Sequence, residues 1–281
     1  MHKPYPTLHA SERTYFLLLG CCDRLYATFY YVLYSGRVKW ADLTSPEFAE
    51  AAKQAKVVIL VAGAVEAHGE HLPLGTDTLL AWEVAQRAVQ QESALLLPPL
   101  AYGVCWSLSY LPGTISLRQE TATALYQDIL EEIVRNGVDK IVVVNGHGGN
   151  NAALRIACQK VAAKHPVTIV VVNWWIDLVS EDAVKALETY QGHAGEDETS
   201  AVLYVKPDAV RTERAKPHTR YRRYRFYTPE RGRLVYGHGV HGHPEKASVE
   251  KGRLLIESAV QNLVALIRDL KAGKLPIVER G

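Results

Sequence analysis

Acidic and histidine side chains are concentrated in one short stretch of the chain, residues 63–77. Glu66, His68, His71 and Asp77 lie there, directly after an apolar run that is typical of a buried strand. Carboxylates and imidazoles are the ligands that divalent transition metals prefer. Taken singly, each has a simpler explanation, since Asp77 could cap the following helix and either histidine could be an ordinary loop residue. Taken together, they favour a metal site.

Two further polar segments supply candidate functional residues. Residues 145–150, Asn-Gly-His-Gly-Gly-Asn, follow another apolar run. They lack both the spacing of a dinucleotide-binding loop and the lysine of a phosphate-binding loop, so His147 is better explained as a metal ligand held by a glycine turn. Residues 192–200 place His193 before a helix start that carries three acids. The helix dipole explains the acids but not His193, which could transfer a proton.

The elements that must position these residues alternate between apolar strands and amphipathic helices. Strands are predicted at residues 57–62, 95–97, 141–144 and 167–172, and helices at residues 40–56, 78–91, 121–136, 150–164 and 251–270. This alternation predicts an α/β fold, a single compact three-layer domain with a mainly parallel sheet and helices on both faces. Because ligands bind beyond the carboxyl ends of such strands, the residues that follow them are expected to share one rim.

The composition is that of an ordinary globular protein. The chain has 281 residues, of which 48% are hydrophobic and 22% are charged, and its formal net charge is +2. The overall charge therefore implies neither a nucleic acid nor a membrane as a partner. The cysteines at positions 21, 22, 105 and 158 match neither a zinc pattern nor a disulfide framework, which favours a reducing, cytoplasmic location.

The N-terminal region, residues 1–38, is interpreted as an extension of unknown role before a catalytic domain at residues 39–281. Residues 15–34 are rich in apolar and aromatic side chains, but Asp23 and Arg24 interrupt them, so a membrane span is not predicted. A Leu-Leu-Gly-Cys sequence ending at Cys21 resembles a lipoprotein cleavage site. The apolar run before it is nevertheless shorter than a signal sequence needs.

The combination of polar segments resembles the creatininase family of metal-dependent amidohydrolases. The resemblance extends from residue 40 to the C-terminus, and its motifs are specific when taken together. The matching segments are Glu66-Ala67-His68-Gly69 through Thr76-Asp77, Leu111-Pro112-Gly113-Thr114, Asn145-Gly146-His147-Gly148-Gly149-Asn150, His193-Ala194-Gly195-Glu196-Asp197-Glu198-Thr199-Ser200, Gly242-His243-Pro244 and Glu250-Lys251-Gly252.

The resemblance implies a dinuclear centre of zinc, manganese or iron in a domain that tends to form hexamers. It implies that Glu66 and His147 bind one metal ion, that His68 binds the other, and that Asp77 bridges the two. His193 matches the catalytic histidine of the family.

Several positions depart from the family pattern. Gly149 stands where creatininase has an acidic ligand, so Glu196 is expected to fill the gap, with Glu198 as the competing candidate. Glu198 is otherwise grouped with His193 as a catalytic residue, together with Trp175, which resembles an active-site tryptophan.

Other departures affect the expected substrate rim. Ser107 and Leu108 replace a Glu-His pair of many members, Glu70 is unusually acidic, and Thr189 lies near the position of the creatininase lid tryptophan. These differences argue against creatinine as the substrate.

The expected function is the hydrolysis of a non-peptide amide or cyclic amide C–N bond in a small molecule. Two metal ions would lower the pKa of a shared water, and the resulting metal-bound hydroxide would attack the carbonyl carbon. His193 would deliver a proton to the departing nitrogen. A non-catalytic metal protein is an alternative, but the near-complete ligand set argues against it.

A basic segment at residues 211–233 leaves further alternatives open, because it interleaves arginines with aromatic side chains. A solvated or subunit-contacting loop is the simplest explanation, and contact with an anionic substrate comes next. Binding of single-stranded nucleic acid comes last, since the net charge is near zero. The histidines at positions 238, 241 and 243 form a loop that is interpreted first as a surface loop. The alternative is a loop that borders the site of the same or a neighbouring subunit.

Overall fold

A four-stranded parallel sheet lies at the centre of the computed structural model, which describes residues 39–224 and 226–277. The expected N-terminal extension, residues 1–38, lies outside these described residues. The strands are β1 (Val58–Ala62), β2 (Leu95–Leu96), β3 (Lys140–Asn145) and β4 (Thr168–Asn173). Their order in the sheet is β2-β1-β3-β4, and every neighbouring pair is parallel.

Helices cover both faces of this sheet. They are α1 (Ser45–Ala55), α2 (Thr76–Gln91), α3 (Gln119–Arg135), α4 (Asn151–Ala162), α5 (Glu181–Lys185), α6 (Glu196–Val205), α7 (Arg233–Tyr236) and α8 (Val249–Lys271). A π-helical turn, Trp174–Leu178, follows β4. Within residues 39–224 and 226–277, none of the helices has the length and apolarity that crossing a membrane would require.

Alternate strand side chains enter two separate cores. On β1, Ile59 and Val61 face the layer that contains α2, α6 and α8, whereas Val58 and Leu60 face the layer that contains α1, α3 and α4. Because both faces are covered, all of β1 is buried and its sequence is continuously apolar. The predicted three-layer α/β fold with a parallel sheet is confirmed.

The predicted elements differ from the observed ones mainly at their ends. Helix α2 begins at Thr76, with Gly75 as its N-cap, so Asp77 lies inside the first turn and does not cap the helix. The helix predicted from residue 40 begins only at Ser45, where Thr44 and Glu47 form a reciprocal capping box. Trp40–Asp42 forms a separate 3-10 turn before it.

The strand order creates a crevice at the carboxyl end of the sheet. From β1 the chain first adds β2 on one side and then crosses to β3 on the other side. The loops that follow β1 and β3 therefore diverge at the topological switch point, where ligands bind in open parallel sheets. Glu66 lies in the first of these loops and His147 in the second.

Candidate metal centre

Four of the predicted ligands converge in this crevice. The His147 Nδ1 atom lies 3.1 Å from Glu66 Oε1 and 3.0 Å from Asp77 Oδ2. On the other side, His68 Nε2 lies 3.1 Å from Asp77 Oδ1. Asp77 thus presents one carboxylate oxygen to each imidazole, which is the arrangement that a bridging carboxylate requires. All four residues are buried.

Backbone carbonyl groups determine which nitrogen of each imidazole is available. His147 Nε2 lies 3.0 Å from the Val104 carbonyl oxygen, and His68 Nδ1 lies 3.1 Å from that of Glu66. A carbonyl oxygen can only accept, so these nitrogens carry the protons, as metal-binding histidines do. The opposite nitrogens face carboxylates, and a neutral ring would direct a lone pair at them. Either a second ring proton or a bound cation must therefore lie between each of these nitrogens and its carboxylates.

An acid from α6 completes the second group, and it is Glu198. Its Oε2 atom lies 3.6 Å from His68 Nε2 and accepts a 2.6 Å hydrogen bond from the Ala194 backbone N–H. The structure does not bring Glu196 to the cluster, contrary to expectation: its carboxylate accepts 2.6 Å hydrogen bonds from Lys251 Nζ and Thr189 Oγ1. Residues two positions apart point roughly 200° apart around a helix, so only one of the two acids can face the crevice.

The carboxylates give the cluster a strongly negative potential. Burial lowers the pKa of His68, but the charges of Asp77 and Glu198 outweigh burial and raise that pKa to about 10. The pKa of His147 is also raised, because Glu66 and Asp77 outweigh its burial. Burial raises the pKa of Glu198 to about 8. Such a site favours cations.

The donor set fits divalent metal ions. Ligand atoms about 2.0–2.2 Å from one ion are roughly 3.3–3.6 Å apart at tetrahedral angles. The contacts within the two groups run from 3.0 Å, between His147 Nδ1 and Asp77 Oδ2, to 3.6 Å, between His68 Nε2 and Glu198 Oε2. In addition, Asp77 Oδ2 is buried and has no hydrogen-bond donor among the described residues. A cation would satisfy this oxygen.

His193 lies beside the cluster with one nitrogen free. Its Nε2 atom lies 2.8 Å from the Ala67 carbonyl oxygen, and Nδ1 lies 3.7 Å from Glu66 Oε1. Burial and then the charge of His68 lower the pKa of His193 to about 4, so the ring is neutral at pH 7. Because Nε2 must carry the proton, Nδ1 is an available proton acceptor.

The backbone holds His193 rigidly. It forms a short antiparallel bridge with His241, with N···O distances of 3.0 and 2.7 Å. The next residue, Ala194, has φ of 50°, a strained value for a residue other than glycine. This conformation directs the Ala194 N–H toward Glu198.

A cavity of about 600 Å³ opens onto these residues. The predicted residue Trp175 lines it, as do Ser107 and Leu108, which were expected at the substrate rim. Two other residues of the first polar segment do not line the cavity. Glu70 lies on the surface, with its carboxylate 3.5 Å from Lys216 Nζ.

His71 contacts α6, because its Nε2 atom lies 2.9 Å from Thr199 Oγ1.

Sequence reasoning did not assign several other residues that line this cavity. They include Cys105, Arg222, Tyr227, Tyr236 and His241. The arginine- and histidine-rich segments contained a signal for Arg222 and His241. A surface loop was the first interpretation of each segment, and contact with the substrate or the site was the alternative. An isolated cysteine gives no such signal, and only folding brings Cys105 next to Glu66 and His147.

Comparison with known proteins identifies the family of the chain. The family model for creatininase, described as creatinine amidohydrolase, matches residues 41–267. The chain belongs to the creatininase family. The creatinine amidohydrolase of Pseudomonas putida is 31% identical over 233 residues, which cover 76% of this chain and 89% of that relative. Membership confirms the expected metal-dependent amidohydrolase class and does not favour a nucleic-acid-binding protein.

Other creatininase-family members are about as similar. The mycofactocin precursor peptide peptidase of Mycobacterium ulcerans (strain Agy99) is 32% identical over 229 residues, covering 75% of this chain and 84% of that relative. A solved structure described as "Creatininase Mn" superimposes with a TM-score of 0.75 at 30% identity, covering 83% of this chain and 98% of that chain. The family thus acts on chemically different substrates, and membership alone does not define the substrate.

Proposed function

We propose that this creatininase-family protein hydrolyses a non-peptide amide or cyclic amide C–N bond in a small anionic molecule, with two divalent metal ions. One observation carries the proposal. Backbone carbonyls accept from one nitrogen of each of two imidazoles, and the other nitrogen of each faces buried carboxylates. A neutral histidine lies beside them on a cavity.

The two groups of ligands share Asp77. Glu66, Asp77 and His147 would hold one ion, and the other would be held by His68 and Glu198 with the second oxygen of Asp77. When bound, such ions lower the pKa of water and polarise a carbonyl oxygen. Zinc, manganese and iron all suit these donors, and the names of two solved relatives, one with manganese and one with zinc, support both of those metals.

His193 is the proton carrier in this proposal. Its Nδ1 atom accepts a proton from the attacking water and then donates it to the departing nitrogen, which leaves poorly as an anion. The contact between Nε2 and the Ala67 carbonyl keeps the ring in the tautomer that this step needs. Trp175 lines the same cavity and would limit how the amide can lie.

Arg222 supports an anionic substrate. It lines the same cavity as Glu66, Asp77 and His147. Burial and the charge of His218 lower the pKa of His241, and the positive charge of Arg222 adds to that lowering. No acidic partner of Arg222 is present within residues 39–224 and 226–277. A substrate carboxylate or phosphate would supply one. This role is favoured over nucleic-acid binding for the basic segment.

The assembly and location belong to the same proposal. A homo-oligomer, a hexamer by family resemblance, is supported by exposed aromatic side chains such as Tyr221 and Tyr224, which are 68% and 71% exposed. A cytoplasmic location is supported by Cys105 and Cys158, which are free thiols.

Metal analysis and substrate screening test the function. Purified protein should contain about two equivalents of divalent metal, and metal-loaded protein should hydrolyse members of a panel of amides and lactams that carry a carboxylate or phosphate. His193→Ala should retain the metal and lose at least about a hundredfold in kcat, since a general acid–base contributes that much. Asp77→Ala should lose both metal and activity.

A matched control is His165→Ala, because His165 lies outside the cavity and should leave turnover unchanged. Unchanged turnover in both His193→Ala and Asp77→Ala would refute the assigned roles. Equal turnover of charged and uncharged amides would refute the anionic substrate alone.

A further inference from the structure

Cys105 lies within the metal centre although no sequence motif contains it. The thiol sulfur, a Glu66 carboxylate oxygen and a His147 ring nitrogen all lie within 4.8 Å of one another. Cys105 itself is 1% exposed. A buried cysteine is usually a small apolar core residue, but this one is beside a carboxylate and an imidazole instead of apolar side chains alone.

The loop that carries Cys105 is fixed to both neighbouring loops. The Cys105 backbone N–H donates a 2.9 Å hydrogen bond to Ser116 Oγ, and the Val104 N–H donates a 3.1 Å bond to Asn150 Oδ1. The Asn150 side chain also donates a 3.0 Å bond to the Gly63 carbonyl, between β1 and the Glu66 loop. The thiol is therefore held in place before any ligand binds.

The first group of ligands has a place for a fourth donor. Glu66, Asp77 and His147 supply three protein donors, so a fourth position on this ion is open to water or to a further side chain. Asp77 Oδ2, on a side chain that is 3% exposed, points into this group without a hydrogen-bond donor, which is an independent sign that a cation belongs there.

The backbone prevents position 149 from supplying that donor. A Cβ atom on Gly149 would lie 2.1 Å from the Val104 carbonyl oxygen and 2.4 Å from His147 Nε2. No side chain fits at such distances, so an acid cannot reach the metal from there. The atom that blocks the position is the carbonyl oxygen of Val104, the residue before Cys105.

We propose that Cys105 is the fourth protein ligand of the metal ion held by Glu66, Asp77 and His147. Binding breaks the S–H bond, the sulfur bonds to the metal as a thiolate, and one proton leaves to solvent. Because thiolate is a soft donor, this position prefers zinc, iron or cobalt to manganese. The second position keeps only oxygen and nitrogen donors. This assignment rests on the metal-dependent function proposed above.

Cobalt substitution tests the assignment spectroscopically. Full-length protein loaded with Co²⁺ should show a thiolate-to-cobalt charge-transfer band in the near ultraviolet. The band should persist in Cys158→Ser, whose thiol lies on α4 outside the candidate metal groups of the described residues. It should disappear in Cys105→Ser while the visible cobalt bands remain. The preference for Zn²⁺ over Mn²⁺ should fall at least about tenfold in Cys105→Ser.

The possible outcomes distinguish failure of the Cys105 proposal from failure of the hydrolase proposal. If wild-type protein binds about two equivalents of cobalt but shows no charge-transfer band, the role of Cys105 is overturned and the hydrolase proposal is unaffected. This measurement does not depend on the folding of any variant. A band that persists in Cys105→Ser would overturn the role of Cys105 equally. Failure of the wild-type protein to bind cobalt at all would overturn both proposals.

Discussion

At the residue scale, the backbone decides what each imidazole can do. The Glu66 and Val104 carbonyl groups hold the protons of His68 and His147, so the remaining nitrogens face carboxylates. The Ala67 carbonyl does the same for His193, whose free nitrogen faces the cavity edge. His68, His147 and His193 therefore differ in what their second ring nitrogen can contact, because that nitrogen points in a different direction in each.

The two acids of α6 should respond differently to neutralisation. Glu198→Gln removes a charge next to His68, so we expect the affinity for metal to fall at least about tenfold, while stability is kept. Glu196→Gln removes the partner of Lys251 and should lower the free energy of unfolding by about 1–3 kcal/mol without loss of metal affinity. Metal titration and urea unfolding of both variants check this.

Each variant is the matched control for the other, because the substitution is identical and the positions are two residues apart. Loss of metal by Glu196→Gln with retention by Glu198→Gln would reverse the assignment and restore Glu196 as the ligand.

At the element scale, the contact between α6 and α8 positions Glu198. Gly252 lies in the first turns of α8, and a Cβ atom there would be 1.9 Å from the Ser200 carbonyl oxygen on α6. The Ser248 N–H, at the start of α8, donates a 3.1 Å hydrogen bond to Ser200 Oγ. Glycine thus lets α8 lie directly against the backbone of the helix that carries Glu198.

Gly252→Ala should therefore destabilise the protein. Glycine to alanine inside a helix normally stabilises by about 0.5–1 kcal/mol, so a loss must come from the clash with Ser200. We expect the free energy of unfolding to fall by at least about 1–3 kcal/mol and metal affinity to fall with it, because α6 has to move. Urea unfolding and metal titration measure the two effects.

Gly75→Ala is a suitable comparison, since its Cβ would meet nothing within 4 Å and its backbone is not in the left-handed region. That change should alter stability by no more than about 1 kcal/mol. A stabilised Gly252→Ala variant would show that the helices can separate without cost.

At the scale of the whole molecule, residues 51–270 contain all of the buried apolar side chains of the two cores described. The family match, residues 41–267, has nearly the same extent. The catalytic domain expected at residues 39–281 therefore includes both cores of the residues described.

A chain that begins at Lys39 should fold and bind metal like the full chain. We expect Tm to differ by no more than about 4 °C, which corresponds to roughly 1 kcal/mol at this size, because the described core is intact. Thermal unfolding and metal analysis of both chains check this, and light scattering compares their masses. Aggregation or loss of metal would contradict the domain boundary, whereas a lower mass alone would assign residues 1–38 to association.

The sequence by itself determined the fold class and much of the centre. Continuous apolar strands between amphipathic helices require a covered parallel sheet, and the loops after such strands must meet at one rim. Glu66, His68, Asp77 and His147 were therefore predictable, because their positions depend on local order along the chain.

Tertiary structure decided the remaining candidate ligands, because their positions depend on the rotation of a helix and on contacts between distant loops. Lys251 binds Glu196 and thereby leaves Glu198 to face His68. The Val104 carbonyl closes position 149, and the fold places Cys105 beside Glu66 and His147. Two side chains that lie two residues apart in a helix point in nearly opposite directions, so the rotation of α6 decides which acid faces the site. Contacts between loops bring together residues that are far apart in the sequence, which the spacing of motifs does not reveal.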